Sequence, residues 1–135
     1  MKNLQLFILG FRNARAFNAY VAEDESVEDD DTPLSKFAAD QGEIWIDHDF
    51  MEMEFCGSKD AVREELGTGS YGESYAEAAR LALDNAALPD GANAYIVLFE
   101  ESQVDEPKSV NGDGYWSRYI GSFPYEGSLK FSWEK

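Results

Sequence analysis

Residues 94–99 read Ala-Tyr-Ile-Val-Leu-Phe, and this stretch decides how the rest of the chain is interpreted. It is apolar throughout and rich in aromatic and β-branched side chains, a pattern typical of a strand that is covered on both faces. We therefore predict a central strand here, inside a sheet whose two sides are both occupied.

The N-terminal segments predict one strand and two helices. Lys2 to Phe11 is rich in Leu, Phe and Ile, and we expect it to form a first strand rather than a signal peptide. Asn13 is expected to cap a short helix whose apolar positions recur at helical spacing, namely Ala16, Phe17, Tyr20 and Val21. Pro33 marks the predicted start of a second helix, and Gly42 marks its end.

An alternating pattern predicts the second strand. Met51, Met53 and Phe55 fall on one face of this strand, and Glu52 and Glu54 fall on the other. Such alternation is typical of a strand that is buried on one side and solvated on the other.

Two more helices are predicted before the central strand. Ser58 is expected to cap the first of them, and the glycine-rich turn Gly67–Gly72 follows it. Ser74 and Glu77, three residues apart, form a predicted capping box that opens a helix running to about Leu88.

The C-terminal part predicts a loop and two strands. Residues 100–114 are expected to form an acidic loop that ends in the turn signal Asn-Gly-Asp-Gly, and strands follow at about Tyr115–Phe123 and Ser128–Trp133. The element order is then strand, helices, strand, helices and three strands. It predicts an α+β fold, with one domain over residues 1–135 and three to four helices packed on a mainly antiparallel sheet.

Negative charge is the strongest compositional signal. The chain has 27 acidic residues against 11 basic ones, which gives a formal charge of −16. A field of this sign repels nucleic acid and anionic membranes, so we expect neither as a partner and expect a basic one instead. Seven of the nine residues in Glu23–Asp31 are acidic, and this block should form a mobile surface loop. Solubility alone would also explain the charge, and both readings stay open.

The chemistry-bearing residues are concentrated in one place. Asp47, His48, Asp49 and Glu52 bring four potential ligands into six residues, but alternation along a strand would turn them to opposite faces. The glycine of a calcium loop is missing, and zinc ordinarily takes more nitrogen or sulfur ligands. We therefore predict no metal ion and no cofactor, and favour a solvated acidic surface.

Nucleophilic catalysis also finds little support in the sequence. The chain has one histidine, and hydrolases of the usual serine or cysteine type need it beside the nucleophile. Cys56 is the only cysteine and is expected to be a buried small hydrophobe in a reducing cytoplasm. Gly67–Gly72 lacks the Lys-Ser/Thr ending of a phosphate loop. We predict that the protein is not an enzyme, with a small hydrolase that uses Asp47, His48 and Asp49 as the weaker alternative.

An acidic surface with aromatic residues beside it remains. Such a surface steers a basic partner by charge, while buried aromatics supply most of the affinity. On charge alone, the candidate binding residues are Glu23, Asp24, Glu25, Glu28, Asp29, Asp30, Asp31, Asp47, Asp49, Glu52 and Glu54. Trp45 and Phe50 lie nearby in the sequence, and we expect both in the core.

Several sequence blocks resemble one known family. These are Leu-Ser-Lys-Phe-Ala-Ala-Asp-Gln-Gly-Glu-Ile-Trp-Ile-Asp-His-Asp-Phe-Met-Glu from Leu34, Ser-Tyr-Gly-Glu-Ser-Tyr-Ala-Glu-Ala-Ala from Ser70, Asn-Ala-Tyr-Ile-Val-Leu-Phe from Asn93 and Tyr-Ile-Gly-Ser-Phe-Pro-Tyr from Tyr119. In content and order they are similar to the immunity protein 22 family, which is associated with bacterial polymorphic toxin systems.

The resemblance implies a cytoplasmic antidote that binds a toxin domain and prevents self-killing. Many such toxins are nucleases, whose substrate groove must be basic to hold phosphates, so an acidic inhibitor matches them. The family offers no motif that marks the toxin contacts, and the candidate residues rest on charge. A DNA mimic that inhibits DNA-binding proteins is the alternative binding function, and the oligomeric state stays open.

Overall fold

An antiparallel sheet organises the part of the chain that the computed structural model describes, residues 2–69 and 71–126. Within these residues the sheet has five strands, in the spatial order β2-β3-β1-β5-β4. They are β1 (Lys2–Phe11), β2 (Met51–Phe55), β3 (Ala94–Leu98), β4 (Val110–Gly112) and β5 (Tyr115–Tyr125). All neighbouring strands are antiparallel, which confirms the predicted α+β class.

Four α-helices within the described residues cover the sheet. They are α1 (Ala14–Val21), α2 (Lys36–Asp40), α3 (Lys59–Glu65) and α4 (Gly72–Asn85), and short 3-10 turns lie at His48–Phe50 and Glu100–Ser102. Two predicted caps are confirmed, because Asn13 accepts a hydrogen bond from the Ala16 amide and Ser58 accepts one from the Ala61 amide. No helix among the described residues is long and apolar enough to cross a membrane.

The sheet separates two hydrophobic cores. The core under α1 and α2 includes Phe7, Leu9, Phe17, Phe37 and Ile96, and the core under α3 and α4 includes Leu6, Ile8, Val62, Leu83 and Val97. Every residue of β3 is buried, so its uninterrupted apolar run is explained by a layer of helices on each side. The prediction of a central strand covered on both faces is confirmed.

The predicted start of the second helix at Pro33 is wrong, because α2 begins at Lys36. Ser35 is its cap and accepts a hydrogen bond from the Ala38 amide at 3.0 Å. Leu34 lies in the connection before the helix, where its amide donates to the carbonyl of Ile44. This pairing keeps the first residues after the proline out of the helix.

The predicted capping box at the start of α4 is also wrong. The helix begins at Gly72, so Ser74 lies inside it and donates its hydroxyl to the carbonyl of Tyr71 at 2.7 Å. A Cβ atom at Gly72 would lie 1.7 Å from the carbonyl oxygen of Gly67, so this close backbone approach requires glycine. The helix ends at Asn85 instead of near Leu88, because the next residue, Ala86, adopts an extended conformation.

The expected loop over residues 100–114 contains the short strand β4. Its three residues carry little sequence signal, and it is recognised by its pairing with the first residues of β5. The Asn-Gly-Asp-Gly signal does form the turn between these two strands. The strand predicted at Ser128–Trp133 lies outside the described residues.

A buried carboxylate joins three elements on the α1 and α2 side. Tyr20 of α1 donates its hydroxyl to Asp40 Oδ2 at 2.8 Å, and Tyr115 of β5 donates to the same oxygen. The Asp40 side chain is only 10% exposed, and Lys36 Nζ lies 3.3 Å from its other oxygen. Asp40 therefore holds the short helix α2 against both of its neighbours.

Candidate functional site

The acidic loop, residues 23–31, is exposed along nearly all its length and contains neither helix nor strand. Asp24 accepts hydrogen bonds from the Ser26 hydroxyl at 2.6 Å and the Ser26 amide at 3.0 Å, and Asp29 accepts from the Thr32 hydroxyl and amide. These bonds hold the pKa of both aspartates below its ordinary value. Asp24 and Asp29 thus each stabilise a local turn within the acidic loop. The mobility of the loop stays a prediction.

The acidic loop lies beside the segment that precedes β2. The Asp24 amide donates to the Leu34 carbonyl at 2.6 Å, and the Leu34 amide donates to the Ile44 carbonyl at 2.9 Å. At the same end of the acidic loop, His48 Nδ1 lies 3.9 Å from Glu23 Oε1. The start of the acidic loop therefore lies beside the Asp47–Asp49 segment, although the two stretches are far apart in sequence.

Asp47, His48 and Asp49 form a turn instead of a continuous strand. Asp47 caps this 3-10 turn by accepting a hydrogen bond from the Asp49 amide at 3.0 Å. The carboxylate of Asp47 thus faces backbone, while His48 faces Glu23. Among residues 2–69 and 71–126, no three His, Cys, Asp or Glu side chains are grouped so that they could hold a metal ion.

The remaining two candidate residues, Glu52 and Glu54, lie apart from the acidic loop. Their neighbours Met51 and Met53 pack into the core under α1 and α2, so the two glutamates project from the opposite face of β2. Glu52 approaches the core under α3 and α4, where its charge adds to the effect of burial in raising the pKa of Tyr75. The structure therefore divides the candidate residues into two groups.

Cys56 is half-buried at the end of β2. Burial, with the nearby charges of Glu54 and Glu65, raises the pKa of the Cys56 thiol to about 12. The neutral thiol is a poor nucleophile, because the reactive species is the thiolate. Cys56 is thus less buried than predicted, but it is chemically quiet.

The prediction that Trp45 and Phe50 belong to the core is wrong. Trp45 is 55% exposed, Phe50 is 40% exposed and Ile44 is 42% exposed, and we call these three residues the apolar patch. The core positions of the segment are taken by Ile46 and Met51, which are 5% and 7% exposed. A signal was present in the sequence, since three consecutive apolar residues at 44–46 cannot all point into one core.

Backbone hydrogen bonds fix the apolar patch in place. The carbonyl of Phe50 accepts bonds from the Phe99 amide at 3.0 Å and from the Ser102 hydroxyl at 2.6 Å. The carbonyl of Ile44 accepts from the Leu34 amide. The exposed side chains are therefore carried on backbone that is held at both ends of the segment.

The glycine-rich turn connects α3 to α4. Gly67 has a φ of +85°, and a Cβ atom there would lie 2.2 Å from the Cβ of Ala76. The glycines thus serve a close approach of the chain to the start of α4. The element before this turn is a helix, whereas a phosphate loop follows a strand.

The comparison with known families assigns the chain. The family model described as Immunity protein 22 matches residues 5–126, which include all four helices and all of the sheet except the first three residues of β1. The chain belongs to the Immunity protein 22 family. No curated protein and no solved structure matches it. This Immunity protein 22 chain therefore has an immunity function by family, and the resemblance seen in its sequence blocks is confirmed.

Proposed function

We propose that this Immunity protein 22 chain is a cytoplasmic, non-enzymatic antidote that binds a basic toxin domain and covers the groove in which that toxin holds nucleic acid. The observation that carries the proposal is the acidic side of the molecule, where the acidic loop and the Asp47–Asp49 turn lie together. A nuclease must present cations to the phosphates of its substrate. Carboxylates on an inhibitor compete for those same cations.

The charge acts over the whole domain as well as locally. The formal charge of −16, less the seven acids of the acidic loop, leaves −9 on the rest of the chain. A field of this size attracts a basic partner from a distance and raises the association rate, up to about 10⁸–10⁹ M⁻¹s⁻¹ at low salt. Exposed carboxylates contribute less to the lifetime of the complex, because water and salt screen them.

The arrangement around His48 supports binding more than hydrolysis. Asp47 caps its own turn, and the Glu23 carboxylate lies 3.9 Å from His48 Nδ1. A catalytic base needs a nucleophile or a water held at hydrogen-bond distance and a partner that orients its ring. A surface His–Glu contact of this length provides neither.

Co-expression with the toxin domain encoded beside this gene tests the proposal. We expect the chain to restore growth, and the purified chain to inhibit the toxin's nuclease activity at a one-to-one ratio. A panel of unrelated DNA-binding proteins separates the alternatives, since inhibition of several members would indicate a DNA mimic. Failure to protect or to inhibit would overturn the proposal. So would a turnover by the isolated chain that His48→Ala abolishes.

Neutralising part of the acidic loop tests electrostatic steering. The loop variant carries Glu25→Gln, Glu28→Gln, Asp30→Asn and Asp31→Asn, and it keeps Asp24 and Asp29 because these two hold the turns. We expect association with the toxin domain to slow several-fold at low salt and the difference to shrink at high salt. Stopped-flow fluorescence measures both rates.

A control variant removes the same number of charges elsewhere. It carries Glu64→Gln, Glu73→Gln, Glu77→Gln and Asp90→Asn, all at exposed positions on the α3 and α4 side. If the acidic loop faces the toxin, the loop variant should slow association more than this control. Equal slowing would indicate that the charge of the whole domain, and not the acidic loop, steers association. No slowing in either variant would refute electrostatic steering.

A further inference from the structure

Large apolar side chains are exposed at four positions of the described residues, and three of these positions form the apolar patch. The fourth is Leu81 on α4, which stands alone between Glu77 and the two arginines Arg63 and Arg80. Single exposed apolar residues are ordinary on protein surfaces, whereas three within one seven-residue segment, 44–50, indicate an interaction site. The apolar patch is therefore a candidate interaction site, and Leu81 is not.

The apolar patch fits inside one protein interface. Trp45 and Phe50 are five residues apart, so the chain between them spans at most about 18 Å, and the 3-10 turn shortens this distance. A standard interface covers about 800 Å² on each partner, which corresponds to a disc about 30 Å across. One partner can therefore cover the whole patch and still reach the acids beside it.

Carboxylates border the apolar patch. Asp49 immediately precedes Phe50, and Asp24 is two backbone hydrogen bonds from Ile44, which corresponds to about 10 Å at the spacing of paired strands. An apolar centre with a charged rim is the usual anatomy of a protein interface. Both of these bordering groups are negative, so a surface that contacts them favourably is basic.

The negative charge beside the apolar patch indicates which class of partner can bind there. A second copy of this chain would bring one acidic rim against another, and nucleic acid would be repelled in the same way. A basic protein face is attracted, and arginine suits it best. Its guanidinium group is weakly hydrated, stacks on an indole ring and pairs with a neighbouring carboxylate in the same contact.

We infer that the apolar patch of Ile44, Trp45 and Phe50 is the anchor of the toxin interface, and that it receives an arginine-bearing face of the toxin domain while the acidic loop and Asp49 form the rim. This inference rests on the proposed function and names the docking surface within it. Because hydrogen bonds already fix the backbone of the patch, little ordering is needed on binding.

Replacement of Trp45 tests the anchor, with Leu81→Ala as the matched control. The probe is a catalytically inactive form of the toxin domain encoded beside this gene, and the equilibrium and rate constants are measured by surface plasmon resonance. Trp45→Ala is expected to raise Kd by about 30-fold or more, mainly through faster dissociation, since central aromatic anchors carry such losses. Leu81→Ala should stay within about twofold of the unaltered chain.

Three further variants test the patch at a second position and distinguish a cation–ring contact from a purely apolar one. Phe50→Ala removes a second member of the patch and should weaken binding by about 5- to 30-fold. Trp45→Tyr keeps a ring face for a cation and should retain more affinity than Trp45→Leu, which keeps only apolar area. Circular dichroism verifies that each variant is folded.

The outcomes separate this inference from the proposed function. If the unaltered chain binds tightly but Trp45→Ala and Phe50→Ala bind as well as Leu81→Ala does, the docking face is elsewhere and only the inference fails. If the unaltered chain does not bind the toxin domain at all, the proposed function fails. Self-association in sedimentation velocity that Trp45→Ala abolishes would show that a second copy covers the patch, and would overturn the inference.

Discussion

Removal of the Asp40 carboxylate should destabilise the protein more than any single change on the acidic surface. In Asp40→Ala the Tyr20 hydroxyl, which lies in a residue only 4% exposed, loses its acceptor and has little access to water. A buried hydroxyl left without a partner costs about 1.5–3 kcal/mol. Tyr115 is half-exposed and can turn to water, so its loss is smaller, about 1 kcal/mol. The exposed pair with Lys36 adds at most about 0.5 kcal/mol.

The expected loss for Asp40→Ala is therefore about 2.5–4.5 kcal/mol of the free energy of unfolding. Urea unfolding followed by circular dichroism measures it, with Lys36→Ala as the control that removes only the exposed pair. Tyr20→Phe should lose about 1.5–2 kcal/mol, and its effect should largely disappear in the Asp40→Ala background. If Asp40→Ala loses no more than Lys36→Ala, the carboxylate does not hold α2 in the way described.

Three other perturbations give outcomes of known sign. Gly10→Ala should cost about 1–3 kcal/mol in urea unfolding, because the new Cβ would lie 2.4 Å from Trp116 Nε1. Ser117→Ala should leave stability equal or raise it by about 0.5–1 kcal/mol, since the fully buried hydroxyl has no hydrogen-bond partner among the described residues; a clear loss in the same assay would contradict this. Alkaline pH should destabilise the fold: burial, with the Asp40 charge, raises the pKa of Tyr20 and Tyr115 in the folded state above the ordinary value of 10.0. The stability that keeps them neutral is complete below pH 10. Above pH 10 it falls by at most about 1.4 kcal/mol per pH unit for the buried Tyr20, and by less for the half-exposed Tyr115, so Tyr20→Phe should flatten the pH profile of the urea midpoint.

Sequence reasoning succeeded where the signal is local or strongly patterned. The apolar run of β3 and the alternation in β2 report burial directly, because side chains in a strand point to alternate faces. Asn13 and Ser58 cap their helices through bonds to amides three residues on, which needs no knowledge of the rest of the fold. These elements were sufficient to predict an α+β domain with an antiparallel sheet.

Prediction failed where contacts distant in sequence decide the outcome. The amide of Leu34 pairs with Ile44 ten residues later, and this pairing delays α2 beyond the proline. The start of α4 depends on the approach of Gly67 to Gly72, while β4 exists only because β5 lies beside it. Helix-start signals therefore located the four helices of the described residues, but they placed the first residues of α2 and α4 wrongly.

The candidate site was predictable in charge and not in shape. Composition indicated an acidic surface, but only the fold shows that the acidic loop lies against the segment before β2 and that Glu52 and Glu54 face the opposite layer. The exposure of Trp45 was missed because an aromatic residue between two isoleucines resembles core in any hydrophobicity count. In the structure, Ile46 and Met51 occupy the core positions of this segment, and Trp45 and Phe50 are exposed.

The two backbone bonds that link Asp24 to Leu34 and Leu34 to Ile44 separate the acidic loop into anchors and a tip. Residues 25–33 lie between Asp24 and Leu34, whose backbones are hydrogen-bonded to each other. The acids at 25, 28, 30 and 31 are exposed and belong to neither core. Such a tip can gain, lose or exchange charges, or change length, at little expense to folding. The domain can therefore follow a changing partner through substitutions in this short stretch while its sheet, helices and apolar patch stay the same.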